Sequence, residues 1–230
     1  MKTIGLIGGM TYLSTLEYYN NINKIVKDKL GGYHSAKCIL YSVDFEEIEE
    51  LQQLGQWDKL TEMMIRFAQK LERAGADFII ICTNTMHKMA DEVQKSINIP
   101  ILHIVDATAE KIKEMGLKKV GLLGTRFTME GDFYKKKLKE NFNIDVIIPS
   151  EDDIGIVCNV IYYELSFGTI KQSSKEQFKR IIRDLVSKGA DGVILGCTEI
   201  PLLIKQEDVK VPLFDTTTIH SISAAEFALK

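Results

Sequence analysis

Two polar loops carry the residue types that could move protons. Cys82-Thr83-Asn84-Thr85-Met86-His87 follows one apolar run, and Gly196-Cys197-Thr198-Glu199-Ile200 follows another. A cysteine thiol has an ordinary pKa of about 8.5 and becomes a usable base where a helix N-terminus or a cation lowers it. A threonine hydroxyl is a far weaker acid that shuttles protons only with help from its neighbours, and it equally suits a hydrogen-bonding or helix N-cap role. Presented to opposite faces of one carbon, two such groups suit racemisation or epimerisation: one removes an α-proton, the other supplies one from the far side. A lone cysteine after a buried strand also packs well as core. The polar Thr198 and Glu199 beside Cys197 tip the balance toward chemistry.

The elements that must position these loops are legible as alternation. Short β-branched runs at 3–8, 37–43, 78–82, 101–104, 119–124, 144–148, 192–196 and 211–214 read as strands. Most are nearly continuous apolar runs, as expected for strands buried on both faces. Helical patterns lie between them at 14–30, 57–74, 106–115 and 175–188, the first opened by a Ser14-x-x-Glu17 capping box. The fold class expected is α/β with parallel sheets.

The chain also repeats itself. TIGLIGGMT (3–11) resembles KVGLLGTRFT (119–128), GADFIIICTNT (75–85) resembles GADGVILGCTE (189–199), and NIPILHI (98–104) resembles KVPLFDT (210–216). Three pairs in the same order imply two similar α/β lobes, related by a pseudo-twofold axis. The first lobe is expected over 1–98 plus 214–230 and the second over 99–213. The repeat makes Thr83 the counterpart of Cys197, and Cys82 the counterpart of Gly196. Side chains alternate along a strand, so Cys82 is expected in the core if Thr83 faces a ligand. Ligands in open α/β sheets bind beyond the carboxyl ends of the strands, where both loops sit. If the lobes face each other, Thr83 and Cys197 approach one ligand from opposite sides.

Composition narrows the alternatives. The 230 residues are 45% hydrophobic and 27% charged with a formal net charge of −3. The basic residues are dispersed, which gives no footprint for nucleic acid or an anionic membrane. No apolar stretch approaches the roughly 20 residues of a membrane span, and the N-terminus lacks a signal-peptide layout. Four cysteines without a C-x-x-C pair fit a reduced, cytoplasmic setting. Four histidines without ligand spacing give no expectation of a metal.

Further residues could complete a site. Asn84, Thr85 and Thr198 offer donors for a carboxylate. Gly8-Gly9-Met10-Thr11 permits close backbone approach ahead of a helix start, which favours an anion. That segment lacks the G-x-G-x-x-G spacing of a dinucleotide site. Arg126 and Lys88 are possible partners for a second carboxylate, and each is as easily read as solvent-facing.

Taken together, GLIGGMTYLSTLEYYNNIN, SVDFEEIEELQ, CTNTMHK, LLGTRFTMEGDFY, GCTEIPLL and FDTTTIH make the chain resemble the cofactor-independent aspartate/glutamate racemases over essentially its whole length. The resemblance implies two α/β lobes with the site in the cleft between them, no pyridoxal phosphate or metal, two-base catalysis and a homodimer. The family pattern has cysteine at both catalytic positions. Thr83 replaces the first here, which resembles the subgroup specific for L-aspartate and L-glutamate. For that subgroup the pair is expected to be unequal, with conversion favoured from the L-amino acid. By resemblance Thr83 and Cys197 are catalytic, and Met10, Gln52, Thr83, Asn84 and Thr85 contact the substrate. Backbone N–H groups of Asn84, Thr85, Thr198 and Glu199 are the candidates to stabilise the developing charge. Gln52 lies where related aspartate racemases use an arginine. Glu199 replaces the histidine that glutamate racemases carry as G-C-T-H. Alternatives on the same scaffold are a decarboxylase, a maleate isomerase, a hydantoin racemase, or a non-catalytic binder of dicarboxylic amino acids.

Overall fold

The structure is a computed structural model that describes residues 1–230. The chain forms two compact units, one of Met1–Ile104 with His220–Lys230 and the other of Val105–Ile219. Each holds a four-stranded parallel sheet with helices around it.

In the first unit the elements are β1 (Ile4–Gly8), α1 (Tyr12–Leu30), β2 (Cys38–Ser42), α2 (Phe45–Gln53), α3 (Trp57–Arg73), β3 (Phe78–Ile81), α4 (Ala90–Gln94) and β4 (Ile101–Leu102). Their order in the sheet is β2-β1-β3-β4. A 3-10 turn, Thr85–Met89, lies between β3 and α4. β1 and β3 are apolar at every position because both faces are covered. Ile4, Leu6, Phe78 and Ile80 pack on Tyr18, Ile22 and Val26 of α1 and on Ala224, Ala225 and Ala228 near the C-terminus. Ile7, Ile79 and Ile81 pack on Leu60, Met64, Phe67 and Leu71 of α3.

The second unit contains α5 (Ile104–Glu114, whose first residue closes the first unit), β5 (Lys119–Gly124), α6 (Arg126–Glu130), α7 (Asp132–Phe142), β6 (Asp145–Ile147), α8 (Glu151–Tyr163), α9 (Gln172–Ser187), β7 (Gly192–Gly196), α10 (Ile200–Leu203) and β8 (Leu213–Asp215). Its sheet order, β6-β5-β7-β8, is that of the first sheet. The last helix, α11 (Thr216–Leu229), starts in this unit and ends in the first. No helix is long and apolar enough to cross a membrane.

Two expectations shift. Ile101 and Leu102 pair with β3, and Leu213–Asp215 with β7. The changeovers therefore follow Ile104 and Ile219 rather than residues 98 and 213. At the head of α1 the N-cap is Thr11, whose hydroxyl accepts from the Ser14 N–H. Ser14 is a buried residue inside the helix, and its hydroxyl donates to the Cys82 carbonyl at 2.8 Å. The capping box at Ser14 is thus displaced by a Thr11 cap one turn earlier.

Candidate active site

In the first unit the carboxyl ends of β1, β2 and β3 lie side by side. β1 and β3 stay in register to Ile7 and Ile81, and the Cys82 N–H still donates to the Ile7 carbonyl at 2.9 Å. Strand alternation then separates the next two residues. Cys82 is fully buried in the core with Ile4 and Leu6, and burial raises its thiol pKa. Thr83 is half-buried, and Asn84 and Thr85 are buried. The Thr83 carbonyl bonds His87 Nδ1 at 2.8 Å.

The loop after β1 lies against the end of β2. Gly9 has φ +97°, and a Cβ there would lie 2.3 Å from the Val43 carbonyl oxygen. Only glycine fits this close, left-handed turn. Its N–H donates to Thr15 Oγ1 at 2.7 Å, which ties the turn to α1. Met10 then enters the core cluster that holds Ile48 and Met86. Gln52 on α2 is also buried, and its Nε2 donates to the Met86 sulfur at 3.1 Å. Thr83, Asn84 and Thr85 thus follow β3, Met10 follows β1, and Gln52 meets the first unit's core at Met86.

In the second unit β5 and β7 remain paired to Gly124 and Gly196. Neither position has room for a side chain: a Cβ on Gly124 would lie 2.8 Å from the Gly196 oxygen, and one on Gly196 would lie 2.9 Å from the Leu123 oxygen. Cys197 is the first residue beyond, half-buried. Its Sγ donates to Glu199 Oε2 at 3.0 Å, and Thr198 Oγ1 donates to the same oxygen at 2.7 Å. Glu199 is itself buried.

This corrects the expected electrostatics. A helix start or a cation is what would lower the thiol pKa. Instead burial, then the charge and hydrogen bond of Glu199, push the Cys197 pKa well up, against the opposing pull of the Glu199 backbone N–H. The resting group is a thiol with a proton acceptor in contact, a donor–base pair rather than a preformed thiolate.

The two residues considered for a second carboxylate have other partners. Arg126 forks onto Glu151 at 2.7 and 3.2 Å and also bonds Glu130, which raises its pKa further. The Lys88 ammonium sits 3.8 Å above the Trp57 ring, where burial lowers its pKa.

One grouping had no sequence signal. His87, His103 and His220 gather in the first unit, with ring centroids 4.7 Å apart for His87–His103 and 5.6 Å for His87–His220. Both nitrogens of His87 are used, by the Thr83 carbonyl and the Ile104 N–H. Both of His220 are used as well, by Tyr18 and the Leu102 carbonyl. The close placement of Glu199 and Cys197, by contrast, is written in their spacing of two on a turn.

Comparison with known proteins gives one consistent result. The family model described as Asp/Glu/Hydantoin racemase matches residues 7–224. The structure of a candidate Asp/Glu racemase from Yersinia pestis is 50% identical, covers 100% of both chains and superposes with a TM-score of 0.94. That of an aspartate racemase homologue from Pyrococcus horikoshii OT3 is 42% identical over 100% of both chains, with a TM-score of 0.88. A broad specificity amino-acid racemase from Bacillus subtilis (strain 168) is 29% identical over 160 residues, 70% of this chain and 68% of its own length.

Proposed function

The chain belongs to the Asp/Glu/hydantoin racemase family, and on that premise we propose that it interconverts the L and D forms of aspartate and glutamate without a cofactor, by two-base proton transfer at Cα. Cys197 serves one face of the carbon and Thr83 the other. The observation that carries this reading is the equivalent placement of the two residues. Each stands just past the strand next to the first one, in two sheets of the same order.

The reaction needs a base strong enough to take an α-proton and an environment that tolerates the carbanion. Glu199 accepts the Cys197 proton across their hydrogen bond, and the thiolate so formed abstracts the α-proton. The Thr83 hydroxyl delivers a proton to the opposite face; the cycle closes when water reprotonates the Thr83 oxygen and Glu199 gives its proton back to water. Backbone N–H groups of Asn84, Thr85, Thr198 and Glu199 stabilise charge developing on the α-carboxylate, since fixed donors need no reorganisation as charge builds. Met10 and Gln52 contact the rest of the substrate. A neutral amide at Gln52, in place of an arginine, leaves room for both dicarboxylic side-chain lengths. The enzyme works as a homodimer in the cytoplasm.

The test is proton NMR in D2O with each enantiomer of aspartate and glutamate and no added cofactor. Loss of the α-proton signal, with the opposite enantiomer appearing on a chiral column, is the expected result. No exchange with any of the four overturns the proposal.

A further inference from the structure

The leading residues of the two loops have their carbonyls held in different ways. The Cys197 carbonyl accepts from the backbone N–H of Ile200 at 3.2 Å. The Thr83 carbonyl accepts from a side chain, His87, four residues on. In the repeat the residue matching His87 is Pro201, which has no donor to offer.

The partners of His87 fix its protonation. A carbonyl can only accept, so Nδ1 carries the hydrogen. The Ile104 N–H, 3.2 Å from Nε2, can only donate, so Nε2 is bare. The ring is 2% exposed and packs against His103 and His220. His220 is locked similarly: its Nε2–H donates to the Leu102 carbonyl, and the Tyr18 hydroxyl donates to its Nδ1, both at 2.9 Å. His87 cannot swing or change tautomer without breaking two hydrogen bonds.

We propose that His87 is a positioning residue: by holding the Thr83 carbonyl it fixes the plane of the Thr83–Asn84 peptide, and with it the Thr83 side chain and the Asn84 N–H. This rests on the racemase reading. In a trans peptide the carbonyl and the next N–H point in opposite directions. A carbonyl tied to His87 therefore aims the Asn84 N–H away from the histidines. The bond also polarises the peptide, which makes that N–H a stronger donor. Small displacements matter at such a point, because a shift of about 1 Å at a reacting group can cost roughly a hundredfold in rate.

The experiment compares His87→Asn with His87→Gln. Asparagine places an amide nitrogen near the Nδ1 position and retains the donor. Glutamine reaches toward the Nε2 position and leaves the Thr83 carbonyl without one. Both lose the ring, so their shared loss measures packing; asparagine keeps the bond to Thr83 and glutamine the one to Ile104, so a lower kcat for glutamine at matching melting temperatures reports the Thr83 bond. The readouts are α-proton exchange of L-glutamate and L-aspartate in D2O, with thermal melting. The expected result is a kcat for His87→Gln roughly ten- to a hundredfold below that of His87→Asn, with KM changed less than about threefold and matching melting temperatures. Equal kcat values, or a loss confined to KM, overturn the inference while leaving the racemase reading intact. No exchange by the unsubstituted enzyme overturns both. Independently of how the variants fold, the 15N spectrum of the unsubstituted protein must show His87 neutral with hydrogen on Nδ1; an Nε2–H tautomer overturns the inference.

Discussion

The Cys197 thiol and the Glu199 carboxylate share a hydrogen bond of 3.0 Å, and Thr198 donates to the same carboxylate oxygen. Burial and then this carboxylate keep the sulfur protonated, and the same contact sets a proton acceptor against the thiol. Glu199→Gln separates the two effects. Without the negative charge the thiol pKa falls, and iodoacetamide should alkylate Cys197 roughly tenfold faster at neutral pH. Racemisation should fall by about a hundredfold, because a glutamine cannot take the proton. Slower activity with unchanged alkylation would show that Glu199 acts on the substrate instead of the thiol.

Thr83→Ala should abolish most turnover, by about 10²–10⁴-fold, whereas Thr83→Ser keeps the hydroxyl and most of the rate. The proposed inequality of Thr83 and Cys197 also predicts a signature in the unsubstituted enzyme. Enantiomers have equal free energy in water, so kcat/KM must be the same in both directions. Asymmetry between Thr83 and Cys197 can appear only as kcat and KM rising together in one direction. By the subgroup resemblance the L-to-D direction should have the higher kcat. Progress curves from each enantiomer check this, and equal kcat values would remove the asymmetry.

His220 gives stability a pH dependence of definite sign. Burial lowers its pKa from 6.5 to about 4. Above pH 6.5 both folded and unfolded forms hold it neutral, and its contribution is complete. As pH falls from 6.5 toward 4 the unfolded chain takes up a proton that the folded chain refuses, and roughly 3 kcal/mol of stability is lost. Asp153, held low first by its hydrogen bond to Arg180, adds its own loss only at lower pH. Urea unfolding at a series of pH values should show the slope, and His220→Gln should flatten it.

Gly9→Ala forces a side chain into a left-handed turn and onto the Val43 backbone. It should cost about 1–3 kcal/mol in backbone strain alone, with a lower melting temperature. Met10 follows directly, so KM should rise as well. Gly31→Ala, also at positive φ but with open space around it, serves as the control that melts nearer the parent.

The strands were the most legible part of the fold, and for a physical reason. IGLIG and FIII are apolar at every position because helices cover both faces, and few other elements produce that pattern. Helix α8 was hidden. Its sequence EDDIGIVCNVIYY contains a glycine and many β-branched residues, which suit a strand. Ser150 caps it, and Ile154, Val157, Val160 and Ile161 form its buried stripe, so tertiary packing overrides propensity. In the site, the paired loops were visible through the repeat. The histidine group was not, because His220 reaches it on α11, a helix that starts in the other unit. The sign of the Cys197 shift is not legible either, since it is set first by burial and then by the Glu199 carboxylate, which together outweigh a backbone N–H.

The separate anchoring of the two loop carbonyls has a consequence for how freely the chemistry can change. At positions 83 and 197 the backbone is secured from further along the chain, by His87 in one loop and by Ile200 in the other. The core beneath them is filled by Cys82 in one and by the strand ahead of Gly196 in the other. The side chain at each position therefore bears little of the architecture. Thiol and hydroxyl can be exchanged at these two positions while the backbone that carries them stays as it is.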